Sequence, residues 1–457
     1  MKMKEAKQAH VLLLPYPAQG HINPLLQFAK RLVRKGIKCT LAITTYLSKT
    51  IQIKSGPIKI ETISDGYDDK GYDGAESNEA YVSSLEVVGS RTLNELIVRY
   101  STKEYPINCI VYDAILYWAL DVAKKNGILG AHFFTQSCAV NHVYYYVHHG
   151  ALHLPLTSSL VSVPGLPMLE TQDVPSFASK PESYRGYLTM VLNQFSNADK
   201  ADFLLLNSVY ELEKEVLDTS STQYSSLTIG PAIPSVYLDN QIEDDKDYRL
   251  SIFKTDYETM KWLEDKPLNS VIYISFGSIA CLENEQFEEL LRGINASDCY
   301  YLWVIRENQQ SKLGESFWSK ISSEKGKVVK WSPQLEVLSN KATGCFWTHC
   351  GWNSTLEGLS LGVPMVAMPQ VADQPMNAKL IQDVWKVGKR VKLDKQGIAR
   401  GEEVLQCLRS VMHGESGQEM RAAAKRLSRL AKASISRGGT SDKNVDEFVS
   451  KLHRNVK

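Results

Sequence analysis

The chain has no CxxC pair, no apolar run of membrane-spanning length and almost no net charge. Its eight cysteines (39, 109, 138, 281, 299, 345, 350 and 407) are scattered without a CxxC. That argues against a disulfide framework or a zinc cluster and fits a reducing compartment. Lys and Arg number 52 against 51 Asp and Glu, a net charge of +1, which gives no reason to expect nucleic acid or an anionic membrane as partner. The opening MKMKEAKQAH is charged, and the VLLLPYP after it is broken by two prolines. It is too short and interrupted for a signal or membrane segment. A soluble, cytoplasmic, monomeric protein without stable membrane insertion is expected. GxGxxG and P-loop motifs are missing too, which removes the main support for a dehydrogenase or an ATPase.

What is present is globular: 457 residues, 43% apolar and 23% charged, too long for one ordinary core. Short apolar runs read as buried strands at 10–14, 39–44, 109–112, 130–135 and 203–207, with amphipathic helices at 24–35 and 118–125. The rhythm repeats at 271–275, 301–306, 344–348 and 364–368, with a helix at 283–295. Such alternation implies parallel sheets covered on both faces, hence an α/β protein of two doubly wound domains. Residues 237–249 (YLDNQIEDDKDYR) are acidic and poor in apolar side chains and read as an exposed linker. The expected division is 1–238, a linker 239–252, a second domain 253–441, and a helix at 442–457 packing back on the first domain. Residues 151–182 lack a clear period and are expected to form loops bordering a substrate cleft.

The densest chemistry lies in 331–374, WSPQLEVLSNKATGCFWTHCGWNSTLEGLSLGVPMVAMPQVADQ. The strand ending near His349 runs through a turn into a helix from Asn353. That turn presents backbone N–H groups and the positive end of a helix dipole to an anion. Ser354 adds a hydroxyl, His349 a ring nitrogen, and Glu357 one turn on could hold a ribose diol. Trp331, between Lys330 and Ser-Pro, offers a flat ring to a base; Asp373 and Gln374 follow a strand end, where a sugar could be bound. Each has an ordinary alternative: Asn353 or Ser354 as a plain N-cap, Trp331 as a core aromatic, Glu357 and Asp373 as solvated helix residues. Earlier in the chain, His21 follows the first strand in a loop after Gly20, and its titration range suits proton abstraction. Asp113 ends the 109–112 strand and could orient that imidazole. A surface histidine and a helix N-cap are the alternatives.

The 331–374 segment resembles, over its full length and in register, the signature box of plant family 1 uridine-diphosphate (UDP)-dependent glycosyltransferases. The resemblance extends to PYPAQGHINP, the Tyr112-Asp113 pair, FFTQSC at 133–138, SFGS at 275–278 and the GG before Thr440. It implies a GT-B fold, two Rossmann-like domains facing across a cleft. It further implies that Trp331 stacks on uracil, that Gln334 and Glu357 hold ribose, and that His349, Asn353 and Ser354 hold the diphosphate. Trp352, Asp373 and Gln374 then contact the sugar, and a terminal Gln goes with glucose. Asn340 and Val371 depart from the usual box. Ser278 is expected to add a phosphate contact; Tyr16, Gln19, Gly20, Trp118, Thr135 and Tyr145 are candidates for acceptor or sugar contacts.

The reaction implied is inverting transfer of glucose from UDP-glucose, a co-substrate rather than a cofactor, to a hydroxyl of a small hydrophobic acceptor such as a steroid, terpenoid or phenol. His21 is the base and Asp113 its partner; no metal site or other cofactor is assigned. Glucose-ester formation on a carboxylic acid is an alternative, as is a non-catalytic nucleotide-sugar-binding protein. Residues 358–362 fit GxSxG but continue a helix, so the hydrolase motif is a chance match. Asp245-Lys246-Asp247 fits a metal-binding DxD but falls in the expected linker. The 141–149 run, NHVYYYVHH, reads as a cleft-lining aromatic helix rather than a metal site.

Overall fold

The computed structural model describes residues 8–53, 56–220, 226–248, 250–251, 258–278, 281–322 and 324–455. Two compact units emerge. The first comprises residues 1–171, 176–252 and 433–457, the second 172–175 and 253–432. Part of the expected linker (249 and 252) and the expected start of the second domain (253–257) lie outside the described residues.

The first unit holds a parallel sheet of seven strands: β1 His10–Leu14, β2 Lys38–Thr44, β3 Lys59–Ile63, β4 Cys109–Asp113, β5 Leu129–Phe134, β6 Phe203–Leu206 and β7 Ser226–Thr228. Their order is β7-β6-β5-β4-β1-β2-β3. The order reverses between β1 and β4, the switch point at whose strand tips such sheets bind ligands. Along β1, Val11 and Leu13 enter one core while Leu12 and Leu14 enter the other. The strand is buried on both faces, which is why it reads as an unbroken apolar run. One face packs on α1 (Gln19–Arg34) and α12 (Thr440–Asn455) through Leu25, Phe28, Phe448 and Leu452. The other packs on α2 (Asn78–Ser101) and α3 (Ala119–Lys125). Two further helices of this unit are α4, Cys138–His148, and α5, Arg185–Asn193.

The second unit repeats the plan with six parallel strands: β8 Val271–Ser275, β9 Tyr300–Val304, β10 Gly326–Val329, β11 Thr343–Thr348, β12 Met365–Ala367 and β13 Gly388–Arg390. Their order is β10-β9-β8-β11-β12-β13, with the switch between β8 and β11. The helices used below are α6 (Asn284–Ser297), α7 (Gln334–Ser339), α8 (Trp352–Leu361), α9 (Gln374–Lys379), α10 (Gly401–Met412) and α11 (Gly414–Ile435). Residues 172–175 cluster here, where Asp173 pairs with Arg390 at 2.5 Å and Lys379 at 3.2 Å.

The acidic stretch after Tyr237 is exposed at 240, 243, 244, 246 and 247, but two of its carboxylates are anchored. Asp245 is 2% exposed and meets Lys30 at 2.6 Å; Asp239 meets Arg31 at 3.0 Å. Both cations come from α1, 215 and 208 residues earlier, so local composition could not reveal them. No helix among the described residues is long and apolar enough to cross a membrane.

Candidate active site

At the switch point of the first unit, α1 begins at Gln19, one turn earlier than Pro24 suggested, so His21 lies in the first helical turn and not in a loop. Pro24 sits inside the helix, where its missing N–H would have faced the Gly20 carbonyl. β4 ends on Asp113, and the His21 Nδ1 to Asp113 Oδ2 distance is 2.5 Å. Asp113 is 1% exposed while His21 keeps 27% of its side chain accessible. With Nδ1–H given to the carboxylate, the tautomer is fixed and Nε2 carries the lone pair. Thr135 Oγ1, just past β5, stands 3.2 Å from the same Nδ1, and the Tyr16 ring meets the imidazole edge-on at 5.3 Å. Burial raises the Tyr16 hydroxyl well above its ordinary range, with Tyr187, Tyr72 and Asp113 adding to it, so it stays neutral beside the histidine.

Other expected contacts divide. Gln19 is half-buried and Gly20 exposed on the same turn as His21. Tyr145 belongs to an aromatic group with His149 at 4.0 Å and Phe195 at 5.7 Å. Trp118, by contrast, is 6% exposed within the core on α2 and α3, where packing accounts for it. A residue that sequence reasoning missed is Glu213. Its buried carboxylate accepts from the Cys138 and Ala139 N–H groups at 3.0 and 2.9 Å and from the Ser208 hydroxyl. It thereby caps α4, immediately after the turn that carries Thr135, and burial raises its pKa. A lone Glu some 75 residues from the helix start it caps leaves no signal in sequence.

In the second unit, the residues of 331–374 converge through their own hydrogen bonds. Gln334, at the start of α7, donates to Glu357 Oε2 at 2.6 Å and to Ser354 Oγ at 3.0 Å. Its Oε1 accepts from Tyr273 on β8 at 3.2 Å. Trp331 is half-buried at the loop after β10. Helix α8 starts at Trp352, with Gly351 as N-cap and no side-chain cap. Asn353 and Ser354 therefore occupy the second and third helical positions and are not N-caps. The N-cap of α8 brings no side chain of its own to the positive end of the helix, as an anion site requires.

His349 lies between two glycines. A Cβ on Gly277 would come within 2.7 Å of its ring, and one on Gly351 within 2.6 Å. Gly277 also has φ +71°, the left-handed region that favours glycine. Burial pulls the His349 pKa down to about 4, with the Ser275 backbone acting the other way. The ring is therefore neutral at pH 7 and offers a hydrogen bond rather than a charge. Ser278 is exposed beside Gly277, and its carbonyl accepts from Arg306.

Asp373 and Gln374 are each 8% exposed. Asp373 Oδ2 accepts from the Trp352 N–H at 3.1 Å and from Asn377 Nδ2 at 2.7 Å. Gln374 Oε1 accepts from the Gln370 and Val371 N–H groups at 2.8 and 3.0 Å. The Trp352 ring lies 6.2 Å from that of Trp385. Cys350 (φ 67°) and Ala372 (φ 62°) are non-glycine residues in left-handed conformation, each next to a box residue. Such strain gathers at functional sites. Ser360, of the chance GxSxG, is fully buried in α8.

Residues 257–434 match the family described as UDP-glucoronosyl and UDP-glucosyl transferase. UDP-glycosyltransferase 74F2 of Arabidopsis thaliana is 51% identical, covering 98% of this chain and 99% of its own length. Flavonol 7-O-beta-glucosyltransferase UGT74F1 of the same plant is 49% identical over the same shares. Among solved structures, Os79 from O. sativa in complex with UDP has a TM-score of 0.92 at 39% identity, covering 97% of this chain and all of that one. Two parallel switch-point sheets, the family match and full-length relatives of this identity agree: the chain belongs to the plant family 1 UDP-glycosyltransferases, hexosyltransferases of GT-B fold.

Proposed function

We propose that this enzyme transfers glucose from UDP-glucose to a hydroxyl of a small hydrophobic acceptor with inversion, giving a β-glucoside. The observation that carries the reading is the His21–Asp113 pair, 2.5 Å apart at the switch point with the imidazole accessible and the carboxylate buried. His21 Nε2 accepts the acceptor's hydroxyl proton as its oxygen attacks the anomeric carbon. Asp113 stabilises the imidazolium that results. The bond from the anomeric carbon to the diphosphate oxygen breaks, and UDP leaves with the electron pair.

The donor side is assigned from the box. Trp331 stacks on uracil, and Gln334 and Glu357 take the ribose hydroxyls. The start of α8, with Asn353 and Ser354, and the neutral His349 donate to the diphosphate as its charge grows. Ser278 adds a phosphate contact, while Trp352, Asp373 and Gln374 hold the glucose. The fixed dipole of α8 supplies the stabilisation of the leaving group, so no metal or other cofactor is invoked. The aromatic group around Tyr145 and Phe195, together with Tyr16, supports an apolar acceptor; the name of UGT74F1 points to a phenolic hydroxyl in that relative.

The test is incubation with labelled UDP-glucose and a panel of alcohols, phenols and carboxylic acids, using the parent and His21→Ala. β-Glucoside from the parent and its loss in the variant support the reading. His21→Ala should lose far more activity on hydroxyls than on carboxylates, which are already ionised. Equal losses would remove His21 as the base, and product only from acids would replace the glucoside by the ester.

A further inference from the structure

Asn377 lies one turn into α9, on the face it shares with Asp373, and it is fully buried. Its amide nitrogen has two hydrogens and two partners. It donates to Asp373 Oδ2 at 2.7 Å and to the Cys350 carbonyl at 2.9 Å. The same Oδ2 accepts from the Trp352 N–H, in the first turn of α8. Cys350 and Ala372 hold left-handed conformations on the two sides of this arrangement. A carboxylate on its own rotates through a broad torsional well. Here one amide, itself anchored on the turn before α8, acts with the Trp352 N–H to fix the direction in which that carboxylate points.

We propose that Asn377 is a positioning residue for the donor sugar. It orients the Asp373 carboxylate against the turn at Cys350 and so sets the discrimination between glucose and its epimers. The inference rests on Asp373 being a sugar contact. Asn377 itself touches the nucleotide nowhere in this scheme, so its effect is confined to the sugar half of the donor.

The test compares Asn377→Leu and Asn377→Asp with Asp373→Asn, measuring the KM for UDP-glucose, the Ki for UDP, and the relative rate with UDP-galactose. Asn377→Leu should raise the UDP-glucose KM about tenfold or more, the usual scale for a lost hydrogen bond to a charged group. The UDP Ki should stay within about twofold, while the preference for glucose over galactose narrows. Asn377→Asp puts two carboxylates in contact, and one must take a proton. Sugar discrimination should then be lost at pH 8 and return in part toward pH 6, where the introduced carboxyl, once protonated, gives its single O–H to Asp373 while the bond to the Cys350 carbonyl stays lost. Arg390 and Asp373 act on the Cys350 thiol beside this pair, and every native ionisable group is common to parent and variant, so a recovery peculiar to the variant belongs to the new pair.

Parallel rises in UDP Ki and UDP-glucose KM in Asn377→Leu, or lower thermal stability with unchanged discrimination, would overturn the proposal and leave the bond purely structural. Should Asn377→Leu fail to fold, the pH recovery of Asn377→Asp decides alone: recovery supports the proposal and its absence overturns it. If Asp373→Asn leaves sugar preference untouched, the sugar-contact reading itself falls. If Asp373→Asn changes the preference and the Asn377 variants do not, only this inference falls.

Discussion

The two units place their chemistry at the same point of the same kind of sheet, yet they assemble it differently. In the first unit the switch point joins His21 and Asp113, which are 92 residues apart, with Thr135 from a third segment. In the second, the switch point gathers nearly everything from the single stretch 331–374, with Gly277 and Ser278 arriving from the turn after β8. The second site is braced by its own bonds, Gln334 to Glu357 and Asp373 to Trp352. The first is braced from outside, Glu213 holding the helix start beside Thr135. One switch point is thus written as a single block of sequence, and the other is drawn together from segments far apart in the chain.

That contrast can be broken at graded cost. The largest effect is expected from His21→Ala, which should lower kcat on hydroxyl acceptors by about a hundredfold to ten-thousandfold, the range of general-base catalysis. UDP affinity should be unchanged, and a comparable loss of UDP binding in calorimetry would tie the two sites together. Next comes Trp331→Ala. Removing a stacking partner costs about 1–3 kcal/mol per base, so UDP should bind roughly tenfold to a hundredfold more weakly while the apparent acceptor affinity holds.

A smaller effect is expected where the second unit has no room. Gly277→Ala forces a non-glycine residue into the left-handed region at about 1–2 kcal/mol and pushes on His349. A measurable fall in both UDP affinity and melting temperature is expected; a neutral result would mean that the ring moves freely. The smallest effect concerns pH. Burial lowers the His132 pKa to about 3 and that of His349 to about 4, below the value near 6.5 of an unfolded chain. The unfolded state therefore binds more protons below about pH 6.5, and stability, complete above that pH, is lost as pH falls toward 4. The melting temperature should drop between pH 7 and pH 5, and His132→Phe should reduce that drop; an unchanged drop would place the acid-sensitive group elsewhere.

How much of this the sequence disclosed follows from locality. The box and the strand rhythm were legible because strand, turn and helix start sit in register within a few residues. The 24-residue helix α2 was not read. Its buried positions recur at helical spacing, but Val87 and Val98 are 67% and 53% exposed and blur the apolar stripe. The start of α1 was misplaced because a proline ordinarily marks a helix beginning, whereas Pro24 lies inside this one. The anchoring of Asp239 and Asp245 is not legible in the acidic stretch because the partners, Arg31 and Lys30, belong to α1. Asn377 lies just beyond the box, and nothing local distinguished it from any buried amide. Composition reports what a segment could do alone, not which distant charge it will meet.

Helix α12 has a consequence for how the protein is made. Its Val445, Phe448, Val449 and Leu452 complete the core that α1 shares with the first sheet, and Lys35 grips its Asp442 and Asp446 at 2.7 and 2.6 Å. During synthesis, the first sheet emerges from the ribosome long before the helix that closes it. The second unit can finish folding while the first still displays an open apolar face. The order of completion is thus the reverse of the order of translation, and cutting the chain short after α11 strikes the unit that holds His21 and Asp113, leaving the core of the second unit whole.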